Sequence, residues 1–137
     1  MFEKILLAVD GSEESVRAAD VTRDLAKMAG AEVLVYHVME REVSRAGSFD
    51  MESPDESTEL VDHTVRMLKD AGVNARGEVN HGIYGRAAKE ILAEAKTFGA
   101  EVVVMGSRGL SDLSGMLVGS VTHKVIHLAE CPVLVVR

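Results

Sequence analysis

Apolar residues run along this chain in two rhythms. The runs Ile5-Leu6-Leu7-Ala8-Val9, Val33-Leu34-Val35-Tyr36-His37-Val38, Val102-Val103-Val104-Met105 and Val133-Leu134-Val135-Val136 show little polar alternation. That predicts short parallel strands covered on both faces. Between them apolar residues recur every three or four positions: Ala18, Val21, Leu25 and Met28; Val61, Val65 and Leu68; Ala88, Ile91, Ala95 and Phe98. These are the stripes of amphipathic helices. A further helix is expected from Ser120 to Ala129. Val73 to Asn80 alternates only weakly, as an edge strand does, and His81 to Gly85 reads as a turn. Ser12 and Ser53 are placed to cap helices, Pro54 sits where a first helical residue belongs, and Gly30, Gly72 and Gly99 follow helix ends.

Strands and helices therefore alternate strictly. The fold class is α/β, an open parallel sheet of five strands with four helices, forming one domain over residues 1–137. Residues 39–56 carry charge, serine and glycine without an apolar period up to the helix start at Ser53, and are expected to form a mobile loop over one end of the sheet. The right-handed crossover rule narrows the strand order without fixing it.

Composition changes this picture little. Hydrophobic residues make up 47% and charged residues 27% of the 137 residues, as in a soluble globular protein. The formal net charge of -7 speaks against a nucleic-acid surface, although backbone amides bind phosphate without a net basic chain. Cys131 is the single cysteine, so no intrachain disulfide is expected. No apolar run approaches the roughly 18 residues that span a bilayer. The chain enters a strand directly after Met1-Phe2-Glu3, which reads as the absence of a signal peptide and a cytoplasmic location. Of the five histidines only His123 and His127, at i, i+4, have metal-ligand spacing; that pair lacks the adjacent Glu of a zinc hydrolase helix, and no metal site is expected from protein side chains.

The most specific chemistry lies late in the chain. Gly106-Ser107-Arg108-Gly109 follows a strand, and nine residues later Gly119-Ser120-Val121-Thr122 opens a helix. Backbone N–H groups in such a loop and at such a helix start present a positive local potential, and glycine admits a ligand closely. The pair reads as a cradle for a phosphate chain. In open parallel sheets the ligand lies beyond the carboxyl ends of the strands. Asp10, Val38 and Gly106 each stand at such an end. Taken alone, Asp10 is a turn residue, Ser120 a helix cap, and Arg108 either a solvated loop charge or a phosphate contact. Ser111 and Ser114 are ordinary loop residues on this reading, and Asp112 is not taken as a metal ligand.

These motifs resemble those of the universal stress protein family, in particular its ATP-binding members. The likeness covers essentially the whole chain: Ile5 to Ser12 at the start, Val103 to Gly109 in the middle, and Gly119-Ser120-Val121 with Cys131-Pro132-Val133-Leu134-Val135-Val136 at the end. The resemblance implies a three-layer, Rossmann-like sheet in the order 3-2-1-4-5, as in adenine nucleotide alpha hydrolases. It implies that adenine lies near Ala8, Val9, Asp10 and the backbone of Val38. Ribose and phosphates then follow Met105, Gly106, Ser107, Arg108 and Gly109, and next Gly119, Ser120, Val121 and Thr122. Mg2+ would be held through the phosphates and water. Residues 39–56 match nothing diagnostic.

The expected function is that of an ATP-binding regulator or sensor in a stress response. A slow ATP-hydrolysing enzyme and a nucleotide-free dimeric scaffold are the alternatives. The chain has no G-x-x-x-x-G-K-[ST] loop, and no catalytic residue is assigned, since hydrolysis needs a positioned water, a metal clamp and a cation on the departing phosphate. Residues 133–136 are apolar on both faces and are expected at a sheet edge, which invites pairing with a second copy in a homodimer.

Overall fold

The computed structural model describes residues 2–44, 47–50, 53–109 and 117–137. The strands are β1 (Lys4–Ala8), β2 (Glu32–Ser44), β3 (Gly47–Asp50), β4 (Asn74–Ile83), β5 (Val102–Gly106) and β6 (Val133–Val136). The helices are α1 (Glu13–Ala29), α2 (Pro54–Asp70), α3 (Ala87–Phe98) and α4 (Ser120–Leu128). Five strands run parallel in the order β4-β2-β1-β5-β6. Counting only these five, the order is 3-2-1-4-5, as anticipated. β1 is central: Leu6 lies opposite Leu34 on one side and Val103 on the other.

Strand alternation divides the core in two. Ile5, Leu7, Val33, Val35, Val102 and Val104 pack with Ala18, Ala26, Val61 and Leu68 of α1 and α2. Leu6, Ala8, Leu34, Tyr36, Val103 and Met105 pack with Ala88, Ile91, Phe98 and Val125 of α3 and α4. Both faces of the sheet are thus dry, which is why the strand runs carry no polar alternation. Each fully buried Leu or Val is worth about 1.5–3 kcal/mol of transfer free energy.

Three local features depart from the sequence pattern. Residues 39–44 are not loop: β2 continues to Ser44 and pairs antiparallel with β3, Arg41 opposite Asp50 and Ser44 opposite Gly47. The cause is a backbone partner rather than an apolar period. β4 runs beside β2 as far as Arg41 opposite Ile83, so strand hydrogen bonding continues after the hydrophobic run stops. β4 is correspondingly longer than expected and absorbs His81, Gly82 and Ile83, leaving the turn to Tyr84 and Gly85. In α1 the buried face is Ala18, Ala19, Thr22 and Ala26, whereas Val21 and Met28 are exposed. Small residues let this helix lie close to the sheet, and the wider stripe loses to that approach. Ser111, Asp112 and Ser114 lie outside the described residues, as do 45, 46, 51 and 52 of the segment expected to be mobile.

The caps do what the sequence demanded. The Ser12 hydroxyl accepts the Ser15 amide at 3.1 Å, and the Ser53 hydroxyl accepts the Glu56 amide at 3.1 Å ahead of Pro54. β6 forms the outer edge beyond β5, with Leu134 38% exposed.

Candidate functional site

A cavity of about 530 Å3, a size ordinary for a small-molecule site, opens at the carboxyl ends of β1 and β5. It also lies beside His37, Val38 and Glu40, which fall within β2 because that strand runs on to Ser44 and does not end at Val38 as expected. Among the residues singled out from the sequence, Ala8, Val9, Asp10 and Val38 line it from the first two strands. Met105, Gly106, Arg108 and Gly109 line it from the loop after β5, and Ser120, Val121 and Thr122 from the start of α4. The fold therefore brings the two glycine-containing segments, separated in sequence, to one wall. Ser107 and Gly119 are not on that wall.

Those two residues tie the segments together. The Ser107 amide donates to the carbonyl of Val136 at 2.7 Å, and the Gly119 amide donates to the carbonyl of Ser107 at 2.6 Å. The Thr122 hydroxyl, buried, donates to the carbonyl of Gly106 at 2.8 Å. Gly106 has a separate reason to be glycine. A Cβ there would lie 2.8 Å from Glu14 Cβ and 2.9 Å from the Ser15 amide nitrogen, closer than packed atoms sit. Its lack of a side chain admits the N-terminus of α1.

The two helix starts at the crevice differ in charge. Leading into α1, Asp10 Oδ1 accepts the Ser12 amide at 2.9 Å and the Ser12 hydroxyl at 2.6 Å, while the Ser15 hydroxyl accepts the Asp10 amide at 3.1 Å. Gly11, at φ 85, makes the bend. Glu13 and Glu14 occupy the first turn of α1, whereas the first turn of α4 carries no acid. The macrodipole of α1 is thus met by carboxylates of the protein, whereas the first turn of α4 supplies none of its own.

Arg108 is the only lysine or arginine among the described lining residues. Its Nη2 lies 2.6 Å from Oε1 of Glu14, which is buried. The Glu14 carboxyl is held below the usual carboxylate range, first by its own backbone amide and then by the Arg108 hydrogen bond, against the opposing effect of burial.

Several lining residues carried no mark in the sequence. His37, buried in β2, donates from Nδ1 to the Val9 carbonyl at 2.7 Å and so ties β2 to the end of β1. Glu40, Glu56 and Leu60 line the side toward α2, and Tyr84, Ala87 and Ile91 the side toward α3. Glu56 and Ala87 stand in the first turns of α2 and α3, and Ile91 is marked in the sequence only as part of a helical stripe. Tyr84 is 61% exposed.

The whole chain, residues 1–137, matches the model of the universal stress protein family. Universal stress protein YxiE of Bacillus subtilis is 38% identical over 148 residues, covering 100% of both chains. The solved structure of MJ0577 of Methanocaldococcus jannaschii superposes with a TM-score of 0.83 at 25% identity, covering 99% of this chain and 96% of that one. A universal stress protein of Archaeoglobus fulgidus, solved in complex with dAMP, superposes with a TM-score of 0.74 at 20% identity, covering 100% and 98%.

Proposed function

We propose, from the premise that this chain belongs to the universal stress protein family, that its crevice holds ATP and that the protein acts as a nucleotide-dependent regulator of a stress response. The observation that carries the reading is the convergence of the loop after β5 and the acid-free start of α4 on the wall that also receives Asp10 and Val38. Apolar Ala8, Val38, Ala87 and Ile91 suit a base at one end. Arg108 and the α4 amides suit phosphates at the other. The second oxygen of Asp10 makes no hydrogen bond among the described residues, and it is suited to a ribose hydroxyl. The dAMP held by the Archaeoglobus relative is of the same ligand class.

ATP is held rather than consumed in this reading. The lone arginine is shared with Glu14, and Mg2+ enters with the phosphates, its shell completed by water. Turnover is below about one per second, under the ordinary range for enzymes. The protein works in the cytoplasm as a homodimer through the outer edge of β6, where two-fold pairing of residues 133–136 covers Leu134.

The test uses the protein's own fluorescence. There is no tryptophan and there are two tyrosines, of which Tyr36 is buried and Tyr84 lines the crevice. ATP is expected to change the Tyr84 emission with saturation, and denatured protein to release an adenine nucleotide on chromatography. No nucleotide released, and no saturable signal at millimolar ATP by fluorescence or calorimetry, overturns the reading in favour of a nucleotide-free scaffold. Fast hydrolysis lost in Asp10→Ala would make the protein an enzyme.

A further inference from the structure

The Glu14–Arg108 pair joins the first turn of α1 to the loop after β5, yet Glu14 itself does not line the crevice. We propose that Glu14 is a positioning residue: it holds the Arg108 guanidinium from behind, so that the remaining donors face the phosphate end of the crevice and set its discrimination between nucleotide and nucleoside. This rests on the reading of the crevice as a nucleotide site and adds to it a residue outside the cavity wall.

Three observations carry the inference. A guanidinium has five N–H donors in a fixed fork, and the contact to Glu14 engages Nη2. No other hydrogen bond to the guanidinium is made among the described residues, and Arg108 lines the cavity, 35% exposed along its side chain.

The second observation is the competition around the arginine. The cavity walls carry the carboxylates of Asp10, Glu40 and Glu56. An arginine without an anchor would be drawn to them, across the path of a phosphate chain. Glu14 gives it a partner outside that path. Because the carboxyl of Glu14 is kept ionised by its backbone amide and by Arg108 itself, the anchor is present throughout the neutral range. Arg17, 3.5 Å from the same oxygen and 47% exposed, is the weaker second partner.

The third observation is rigidity. Gly106 brings the loop so near α1 that there is no room for a Cβ beside Glu14, and the Ser12 hydroxyl approaches the Arg108 carbonyl at 3.3 Å. The Glu14 side chain therefore leaves a fixed platform and reaches Arg108 over a short distance. An orienting contact made from such a platform loses little entropy when phosphate binds, which is the condition for preorganisation.

The experiment compares adenosine, ATP and inorganic tripolyphosphate by calorimetry on the wild type, Glu14→Ala, Arg108→Ala and the double variant, each checked for folding by circular dichroism. Arg108→Ala is expected to weaken ATP and tripolyphosphate about tenfold, the scale of one charge-assisted hydrogen bond, with adenosine changed by less than about twofold. Glu14→Ala should weaken the same two ligands about three- to tenfold, and the double variant should be no weaker than Arg108→Ala alone. That non-additivity is the signature of one residue acting through the other, and a merely structural role would not produce it.

An unchanged or tightened ATP affinity in Glu14→Ala overturns the inference, as does an additive double variant. So does a wild type that binds neither ATP nor tripolyphosphate. If adenosine fails to bind while tripolyphosphate binds with the expected dependence on Glu14 and Arg108, the nucleotide reading fails and the positioning role stands.

Discussion

Replacing Gly106 by alanine separates two reasons for a glycine at the crevice. The residue ends β5 and does not adopt a positive φ, so the backbone itself tolerates alanine. The cost comes from space. The new methyl would meet Glu14 Cβ at 2.8 Å, the Glu14 carbonyl carbon at 2.9 Å and the Ser15 amide nitrogen at 2.9 Å. Two of these are backbone atoms in the first turn of a helix, and neither rotates aside. Relief requires α1 to move off the sheet, against the packing of Ala18 and Ala19. Overpacking of this kind costs about 2–3 kcal/mol. In a domain of this size that lowers the melting temperature by about 6–12 °C. Gly30→Ala is the control. Its φ is 66 with nothing within 4 Å of an added Cβ, so it carries only the conformational penalty of about 1 kcal/mol. Urea unfolding of the ligand-free variants measures both, and Gly106→Ala should be clearly the less stable. Equal midpoints for the two variants, or a loss from Gly106→Ala seen only with ATP present, would refute the steric argument and leave ligand approach as the reason for glycine.

Three further outcomes follow from single contacts. Thr122→Val keeps the shape of a buried residue and removes the hydrogen bond to the Gly106 carbonyl, which should cost about 1–2 kcal/mol in urea unfolding; no change would mean that α4 is not clasped there. The Glu94 carboxyl is pushed above its usual range, first by burial and then by Glu78, with Arg76 opposing. An acid with a raised folded pKa favours the folded state while protonated and loses that contribution as pH rises, so Glu94→Gln should gain about 0.5 kcal/mol at pH 7 and nothing below about pH 4. An equal gain at both pH values would sink that assignment. Leu134→Lys puts a charge on the exposed outer strand β6; on the proposed β6 pairing, light scattering should show the parent as a dimer and the variant as a monomer, with thermal stability of the subunit within about 0.5 kcal/mol of the parent, and a monomeric parent would refute the pairing.

The parts of the fold legible in the sequence are those in which a residue's neighbours along the chain already determine its role. Continuous apolar runs read as buried strands because both faces of β1, β2 and β5 are covered. Ser12 and Ser53 read as caps because a cap bonds two or three residues onward. The antiparallel return of β3 was not legible, since its partner strand is created by pairing with β4, a relation between distant segments. The stripe of α1 misled for a similar reason. Val21 and Met28 satisfy the helical period, but the face that packs on the sheet is the one carrying Ala18, Ala19, Thr22 and Ala26.

The crevice shows the same division in a sharper form. The spacing of Gly106, Gly109 and Gly119 points to one place, and the fold assembles both segments there. It does so with a distribution of work that spacing cannot convey. Gly119 gives its amide to Ser107 and Gly106 makes room for Glu14, so part of the glycine pattern serves the joining of two loops to a helix. On the proposed reading the anion-attracting elements are the α4 start and Arg108, and Arg108 is bonded to Glu14, ninety-four residues away in sequence. A glycine motif and an acid in the first turn of α1 look unrelated on the page of letters. They are coupled because removing a side chain at Gly106 is what brings the carboxylate within reach of the arginine two residues further on.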